Sequence, residues 1–352
     1  MRLLQAPKRR AGVGALALLL TLLLSACAEN APQDVLDPAG PVAREADQLW
    51  DITFGIAVVV FVLVEAALVF TVLKFRRRPG REAAQFHGNT RVEVLLTVIP
   101  ALILAGIAVP TVSSIFSLAA EPPGALQVKL IGHRFWWEYQ YTGAGVVTAN
   151  ELHIPTGRPV YINLEGALTD RVTGEAAVNH SYWIPRLAGT QDIIPGRNTY
   201  MTIEADEPGT YLGQCKEFCG LGHAYMRQRV IAHRPAEFET WLQDQGEAPP
   251  APTGLAAEGE QLFTSGQFPG GPACVSCHAA ESTELTAPNT GPNLTHFAGR
   301  QTFAAGVFEN NEENLSAWLA DPAAVKPGAT MPDLGLTQEQ IDALIAYLET
   351  RE

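Results

Sequence analysis

Two apolar segments, at about residues 52–73 and 92–116, constrain this chain before anything else does. Crossing a bilayer takes about 20 predominantly apolar residues, and each segment has that length. In lipid such a segment closes its backbone hydrogen bonds only as a helix, so the chain contains a helical hairpin from which the rest must hang. Between the two segments lie Arg76, Arg77, Arg78, Arg81 and Arg91 against a single acid, Glu82. The positive-inside rule places that loop in the cytoplasm and both ends of the hairpin outside. Two carboxylates sit in or near the helices. Glu65 either meets a polar group on a neighbouring helix or has a function, because ionisable groups in lipid face a protein interior or a water path. Glu93 lies close enough to the cytoplasmic end to snorkel to water.

The amino terminus agrees with this topology. Lys8-Arg9-Arg10 precedes an apolar run over residues 11–24, a secretory signal pattern too short to span. It ends in Leu24-Ser25-Ala26-Cys27, which resembles a bacterial lipobox, and that resemblance implies lipidation of Cys27 outside the membrane. The alternative is an uncleaved helix with an incidental cysteine. The formal charge is −13, and removing residues 1–26, with four basic residues and no acid, leaves −17. So acidic a surface argues against nucleic acid and for a basic or cationic partner. The five cysteines, at 27, 215, 219, 274 and 277, form no disulfide framework: one stands alone and four fall in two close pairs.

Beyond residue 125 the pattern changes to short alternating or apolar runs, such as 127–131, 159–164 and 199–203, broken by Pro195-Gly196 and Pro208-Gly209. Several short strands at close spacing predict an antiparallel sandwich or barrel. Within it, Cys215-Lys216-Glu217-Phe218-Cys219-Gly220-Leu221-Gly222-His223-Ala224-Tyr225-Met226 packs two thiols, an imidazole and a thioether into twelve residues, with His180 upstream. Thiolate and thioether donors are soft and select copper over magnesium or calcium. A structural zinc site would use the cysteines and histidines but leave Met226 idle. A Cys215–Cys219 disulfide would account for the pair alone.

This run resembles the metal loop of subunit II of cytochrome c oxidase, which holds the dinuclear copper centre CuA in a cupredoxin fold. The resemblance implies that Cys215 and Cys219 bridge both ions and that His180 and His223 each bind one. Met226 and the carbonyl of Glu217 would be weaker axial ligands, and the Glu217 carboxylate would reach a magnesium site shared with subunit I. Gly132-His133-Arg134-Phe135-Trp136-Trp137-Glu138-Tyr139 is similar to the family's aromatic run, where electrons from cytochrome c enter. Phe135 stands where many members carry Trp, so Phe135 and Trp136 are both candidates for that contact. Asp192-Ile193-Ile194-Pro195-Gly196-Arg197 also fits the family. Val92-Glu93-Val94-Leu95-Leu96-Thr97-Val98-Ile99-Pro100-Ala101 resembles the start of its second membrane helix, which implies that Glu93 stands at the mouth of a proton channel in subunit I.

After a Pro-rich linker, Cys274-Val275-Ser276-Cys277-His278 is the attachment sequence of a c-type haem: two thiols for the vinyl groups and a histidine for the iron. A thioredoxin-like pair would need a βαβ context and would leave His278 unexplained. The opposite ligand should be Met or His. Met331 is the only methionine after residue 226, and His296 the only other histidine in this region. Met331-Pro332 resembles the sixth-ligand loop of class I cytochromes c, and the helical spacing of Ile341, Leu344, Ile345 and Leu348 predicts their closing helix.

The expected organisation is a lipoprotein signal at 1–26, an outer segment at 27–48, and a transmembrane hairpin at 49–118. A cupredoxin CuA domain at 125–242, a linker at 243–255 and an all-α class I cytochrome c domain at 256–352 follow. This order resembles subunit II of caa-type bacterial oxidases. It implies electron flow from a cytochrome c or a reductase, through this chain's haem c and CuA, to the haem–copper centre of subunit I in the bacterial cytoplasmic membrane. Subunit III is a further implied partner, and dioxygen reduction coupled to proton translocation would occur outside this chain. The alternatives are the CuA subunit of a nitric oxide reductase and a copper-delivery lipoprotein. Nitrous oxide reductase would need a His-rich domain that eight histidines do not supply.

Overall fold

A computed structural model describes residues 31–77, 79–80, 85, 87–171, 174–282 and 290–352. Cys27, Arg78, Arg81 and Glu82 lie outside the described residues. The two apolar segments form α1 (Pro41–Phe75) and α2 (Thr90–Ala119). Both are long and apolar enough to cross a membrane, and their apolar windows are exposed in the isolated chain. At 1.5 Å per residue, α1 is about 52 Å long, well beyond the hydrocarbon core.

Its extra length precedes the apolar run and has a use. Pro41 supplies a fixed φ at the first turn, Ala43 is buried, and Ala39 and Val42 pack against the following domain. Arg44 pairs with Asp206 and Arg186 with Asp37. In α2, the Asn89 side chain caps the first turn by accepting from the amides of Arg91 and Val92, and Glu93 sits in that turn, where a negative charge suits the helix dipole.

Ten strands follow. β1 (Leu126–His133), β2 (Trp136–Tyr141), β3 (Val146–Ala149), β5 (Val160–Glu165) and β8 (Asn198–Ile203) form a sheet in the order β3-β2-β1-β5-β8. β4 (Glu151–Pro155), β10 (Arg227–His233) and β9 (Gly209–Gln214) form a second, and β6 (His180–Trp183) pairs with β7 (Thr190–Ile193). The sheets make the expected sandwich and do not close into a barrel. Nor is it wholly antiparallel: β1 runs parallel to β5, and β4 to β10. Those strands are joined by long crossings rather than hairpins, which is how parallel neighbours arise. β5 illustrates the inward period of two, with Val160, Ile162 and Leu164 buried and their neighbours partly exposed.

α3 (Pro235–Asp244) closes this domain through Phe238, and the linker leads into the C-terminal domain. There α4 (Leu255–Ser265), α5 (Glu312–Ala320), α6 (Pro322–Val325) and α7 (Gln338–Leu348) surround a separate core. A two-residue strand pair, β11 (Thr302–Phe303) with β12 (Phe308–Glu309), is a small β addition to the helical domain. α7 opens on a capping box between Thr337 and Gln340, which satisfies amides that a helix start leaves free.

Candidate functional site

The soft-donor run is the loop between β9 and β10. Backbone bonds hold it at both ends: the Cys215 amide donates to the Met226 carbonyl at 2.9 Å, and the Lys216 amide to Ser181 of β6 at 3.0 Å. His180, the first residue of β6, is thereby set against the loop. The Cys215 Sγ lies 3.9 Å from His180 Nδ1, and the Cys219 Sγ 3.7 Å from His223 Nδ1. Met226 Sδ is 3.9 Å from the Cys219 sulfur, and the Glu217 carbonyl oxygen 3.2 Å from the Cys215 sulfur.

The two sulfurs are 4.0 Å apart and both cysteines are free. That separation excludes the disulfide reading. Metal–thiolate bonds are about 2.3 Å, so two thiolates facing one ion stand at most about 4.6 Å apart. Both sulfurs can therefore hold the same ions, with one histidine at each side. His180, Cys215 and Cys219 also form the one cluster of metal-ligating atoms, within 4.8 Å of one another, found among the described residues. Cys215, Cys219, His180 and Met226 are buried while Glu217 is exposed. The two thiols share one hydrogen bond, so one of them ionises more readily than a free thiol while the other holds its proton more tightly. A cation in place of the shared proton resolves this conflict. Met226, which zinc would leave idle, lies within reach of Cys219, so the donor set fits soft copper.

The aromatic run quoted from the sequence packs beside the loop, but what each of its residues does there was not legible. Gly132 lets the His180 ring approach, since a Cβ there would meet its Cδ2 at 2.9 Å. Trp137 meets His180 edge-on with centroids 5.9 Å apart. His133 stacks on Trp136 at 4.1 Å and bonds buried Glu138, which Arg171 also contacts. The contact of Gly132 with His180, 48 residues on, and that of Glu138 with Arg171 join separate stretches of sequence and so carry no local signal.

In the C-terminal domain Cys274, Cys277, His278 and Met331 line one cavity. His278 Nδ1 is 2.7 Å from the Pro292 carbonyl, so that nitrogen carries the proton and Nε2 keeps its lone pair. Burial holds this imidazole below its ordinary pKa, as a neutral ligand must be. Gly291 lies flat against the ring, where a Cβ would come within 2.4 Å of Cε1. These residues fit a covalently attached haem. His296 is absent from the cavity wall, and its Nδ1 sits 2.5 Å from the Glu352 carbonyl oxygen instead. Of the two candidates for the opposite ligand, the cavity thus contains Met331. Phe135, Trp136 and Asn150 of the sandwich domain complete the wall, bringing both predicted electron-accepting aromatics to the haem cavity. Phe135 also reaches the metal loop, because a Cβ at Gly222 would fall 2.3 Å from its ring. Glu65 lies within α1 and Glu93 in the first turn of α2.

Comparison with known proteins gives three family matches. Residues 126–232 match the periplasmic domain of cytochrome c oxidase subunit II, residues 28–113 its transmembrane domain, and residues 256–352 cytochrome c. Cytochrome c oxidase subunit 2 of Alkalihalophilus pseudofirmus is 35% identical over 341 residues, covering 94% of each chain. The protein of that name from Bacillus subtilis is 34% identical over 354 residues, covering 94% of this chain and 95% of the other. Among solved structures, the periplasmic domain of subunit II of the Bradyrhizobium japonicum cytochrome oxidase aligns at 24% identity, with a TM-score of 0.32, over 35% of this chain and 95% of that one.

Proposed function

The chain belongs to the cytochrome c oxidase subunit II family, in the form that carries a C-terminal cytochrome c domain, and we propose that it is the electron-accepting subunit of a membrane-bound terminal oxidase. Membership implies copper in the sandwich domain and haem in the C-terminal one. Bound there, these groups supply one-electron redox chemistry. The observation that carries the reading is the placement of Phe135, which touches the soft-donor loop on one side and the haem cavity on the other.

In this reading Cys215 and Cys219 hold a copper pair between His180 and His223, with Met226 and the Glu217 carbonyl as weak donors. Burial excludes water from the sulfurs, and backbone bonds at both loop ends limit rearrangement when charge changes. Cys274 and Cys277 would attach the haem, and His278, oriented by Pro292, and Met331 would supply its iron ligands. Glu217, exposed beside the copper loop, supplies a carboxylate to a magnesium ion shared with subunit I. Glu93, in the first turn of α2 at the cytoplasmic side, takes up protons for subunit I. Electrons from a cytochrome c or a reductase reach the cytochrome domain first, then the copper domain, then subunit I, where dioxygen is reduced to water and protons are translocated. Subunit III joins the complex, the cofactor domains face the outside, and Cys27 anchors the mature amino terminus.

The test is gas consumption by the complex purified through this subunit and supplied with an artificial electron donor. Cyanide-sensitive dioxygen uptake with negligible nitric oxide turnover is expected. Preferential consumption of nitric oxide would move the chain to a reductase and remove the proton-uptake role of Glu93.

A further inference from the structure

The cytochrome and copper domains are joined by more than their linker. Glu151, at the start of β4, is fully buried and accepts three hydrogen bonds from across the domain boundary. They come from the Gln301 amide at 3.1 Å, the Thr302 amide at 2.8 Å and the Thr302 hydroxyl at 2.7 Å. Lys326, 4% exposed, makes the reciprocal contact from the cytochrome side. Its Nζ donates to the Phe135 carbonyl at 3.2 Å and to Ala304 of its own domain at 2.8 Å. Between these two ties the Arg227 amide donates to the Ala305 carbonyl at 3.1 Å, and Ala305 packs with Trp136 and Ala149.

The contact also sets which side of the cavity faces the soft-donor loop. Lys326 and Thr330 belong to the loop that ends in Met331, and the Thr330 hydroxyl donates to the Arg134 carbonyl at 3.3 Å. Gly328, with φ +85°, lies so close to the copper loop that a Cβ would stand 2.6 Å from the Gly222 nitrogen. Gly222 immediately precedes His223. The methionine-bearing loop and the copper loop therefore meet backbone to backbone.

We propose that Glu151 and Lys326 form a buried clamp that fixes the cytochrome domain on the copper domain, methionine side inward, and so closes the Phe135–Trp136 face to any separate electron donor. The proposal rests on the electron-transfer function argued above. Each transfer moves one electron from ferrous haem, which becomes ferric, to the oxidised copper pair. A domain held only by its linker would search for its docked position before each transfer, whereas a clamped one is already there. Glu151 and Lys326 are positioning residues: Glu151 fixes the 301–302 segment, and Lys326, at the edge of the haem cavity, fixes the Phe135 carbonyl.

The test uses the whole oxidase complex, with the haem photoreduced and its reoxidation followed optically. In the unaltered complex the transfer is expected to be a single phase, indifferent to added glycerol and to salt. The double variant E151A/K326A should slow it roughly 10- to 100-fold, the range that small misplacements produce, and make it viscosity-dependent. Copper and covalent haem should both be retained, and E151Q alone, whose one acceptor oxygen can keep the two Thr302 bonds but not the Gln301 bond, should slow the transfer less than the double variant does. A viscosity-dependent transfer in the unaltered complex would overturn the clamp, as would an unchanged rate in a double variant with intact spectra. Hydrogen exchange at the Gln301 and Thr302 amides decides the matter if the variant does not assemble: protection supports the clamp and rapid exchange refutes it. A preparation lacking copper and covalent haem would instead refute the functional reading, with amide exchange still judging the clamp.

Discussion

Cys215 and Cys219 cannot both ionise cheaply when their sulfurs stand 4.0 Å apart in a buried loop. Like charges at that distance repel, and burial sharpens the repulsion, so in the absence of a cation one proton is shared between them. A site of this kind exchanges protons for metal. In the proposed site, removing one thiolate would leave a single soft anion to hold the copper. Cys219→Ser should therefore weaken copper binding by more than about 100-fold, the upper end of what supporting residues around a metal contribute. Met226 is buried but, as a thioether, carries no charge. Met226→Leu keeps the volume, at a cost below about 1.5 kcal/mol, and should retain the copper with a shifted visible spectrum. Copper per purified chain, measured by atomic absorption beside the optical spectrum, separates the two variants. Equal loss from both would mean that the sulfurs do not dominate the site.

At the scale of elements, the legible parts of the fold were those whose pattern is local. The membrane helices announced themselves by apolar length, the β5 strand by its alternating burial, and α7 by the spacing of Ile341, Leu344, Ile345 and Leu348. The cluster of soft side chains was legible because all but one of them fall within twelve residues. The upstream start of α1 at Pro41, the parallel pairings and the Glu151 and Lys326 contacts were not, since they depend on partners about 150 residues away or more, or on crossings with no signature. Gly259 shows what such contacts demand. A Cβ there would stand 1.9 Å from the Ala343 carbonyl oxygen and 2.7 Å from the Tyr347 Cβ, so α4 and α7 cross with their backbones touching. Gly259→Ala gains helix propensity locally, worth about 1 kcal/mol, yet must force this crossing apart at about 1–3 kcal/mol. The clash should win. The cytochrome domain should lose several degrees of thermal stability, at about 4–8 °C per kcal/mol for a domain this size, read from the haem absorbance on heating. An unchanged or raised midpoint would mean that the helices part without cost.

For the whole molecule, the charge distribution bears differently on the two electron transfers proposed above. Residues 256–352 contain only three basic residues, and none of them is exposed. Arg351 is fully buried, bonding Glu281 and the Pro250 carbonyl; Lys326 is in the domain boundary; half-buried Arg300 is bonded to Asn293. The acids are on the outside, among them Glu258, Glu309, Glu312, Glu313 and Asp342. Cations are thus spent on internal contacts, and the surface offered to a donor is anionic. Such a surface speeds encounter with a basic partner by roughly 10- to 1,000-fold at low salt, an advantage that fades as the Debye length shrinks from about 30 Å at 0.01 M to about 8 Å at 0.15 M. Reduction of the cytochrome domain by a basic cytochrome c should therefore slow at least about tenfold across that range of salt. The next transfer, between domains already in buried contact, should not change. Stopped-flow reduction and flash-induced reoxidation of the haem, run in the same buffers, measure the two steps separately. A donor step indifferent to salt would place the docking surface away from the acidic face.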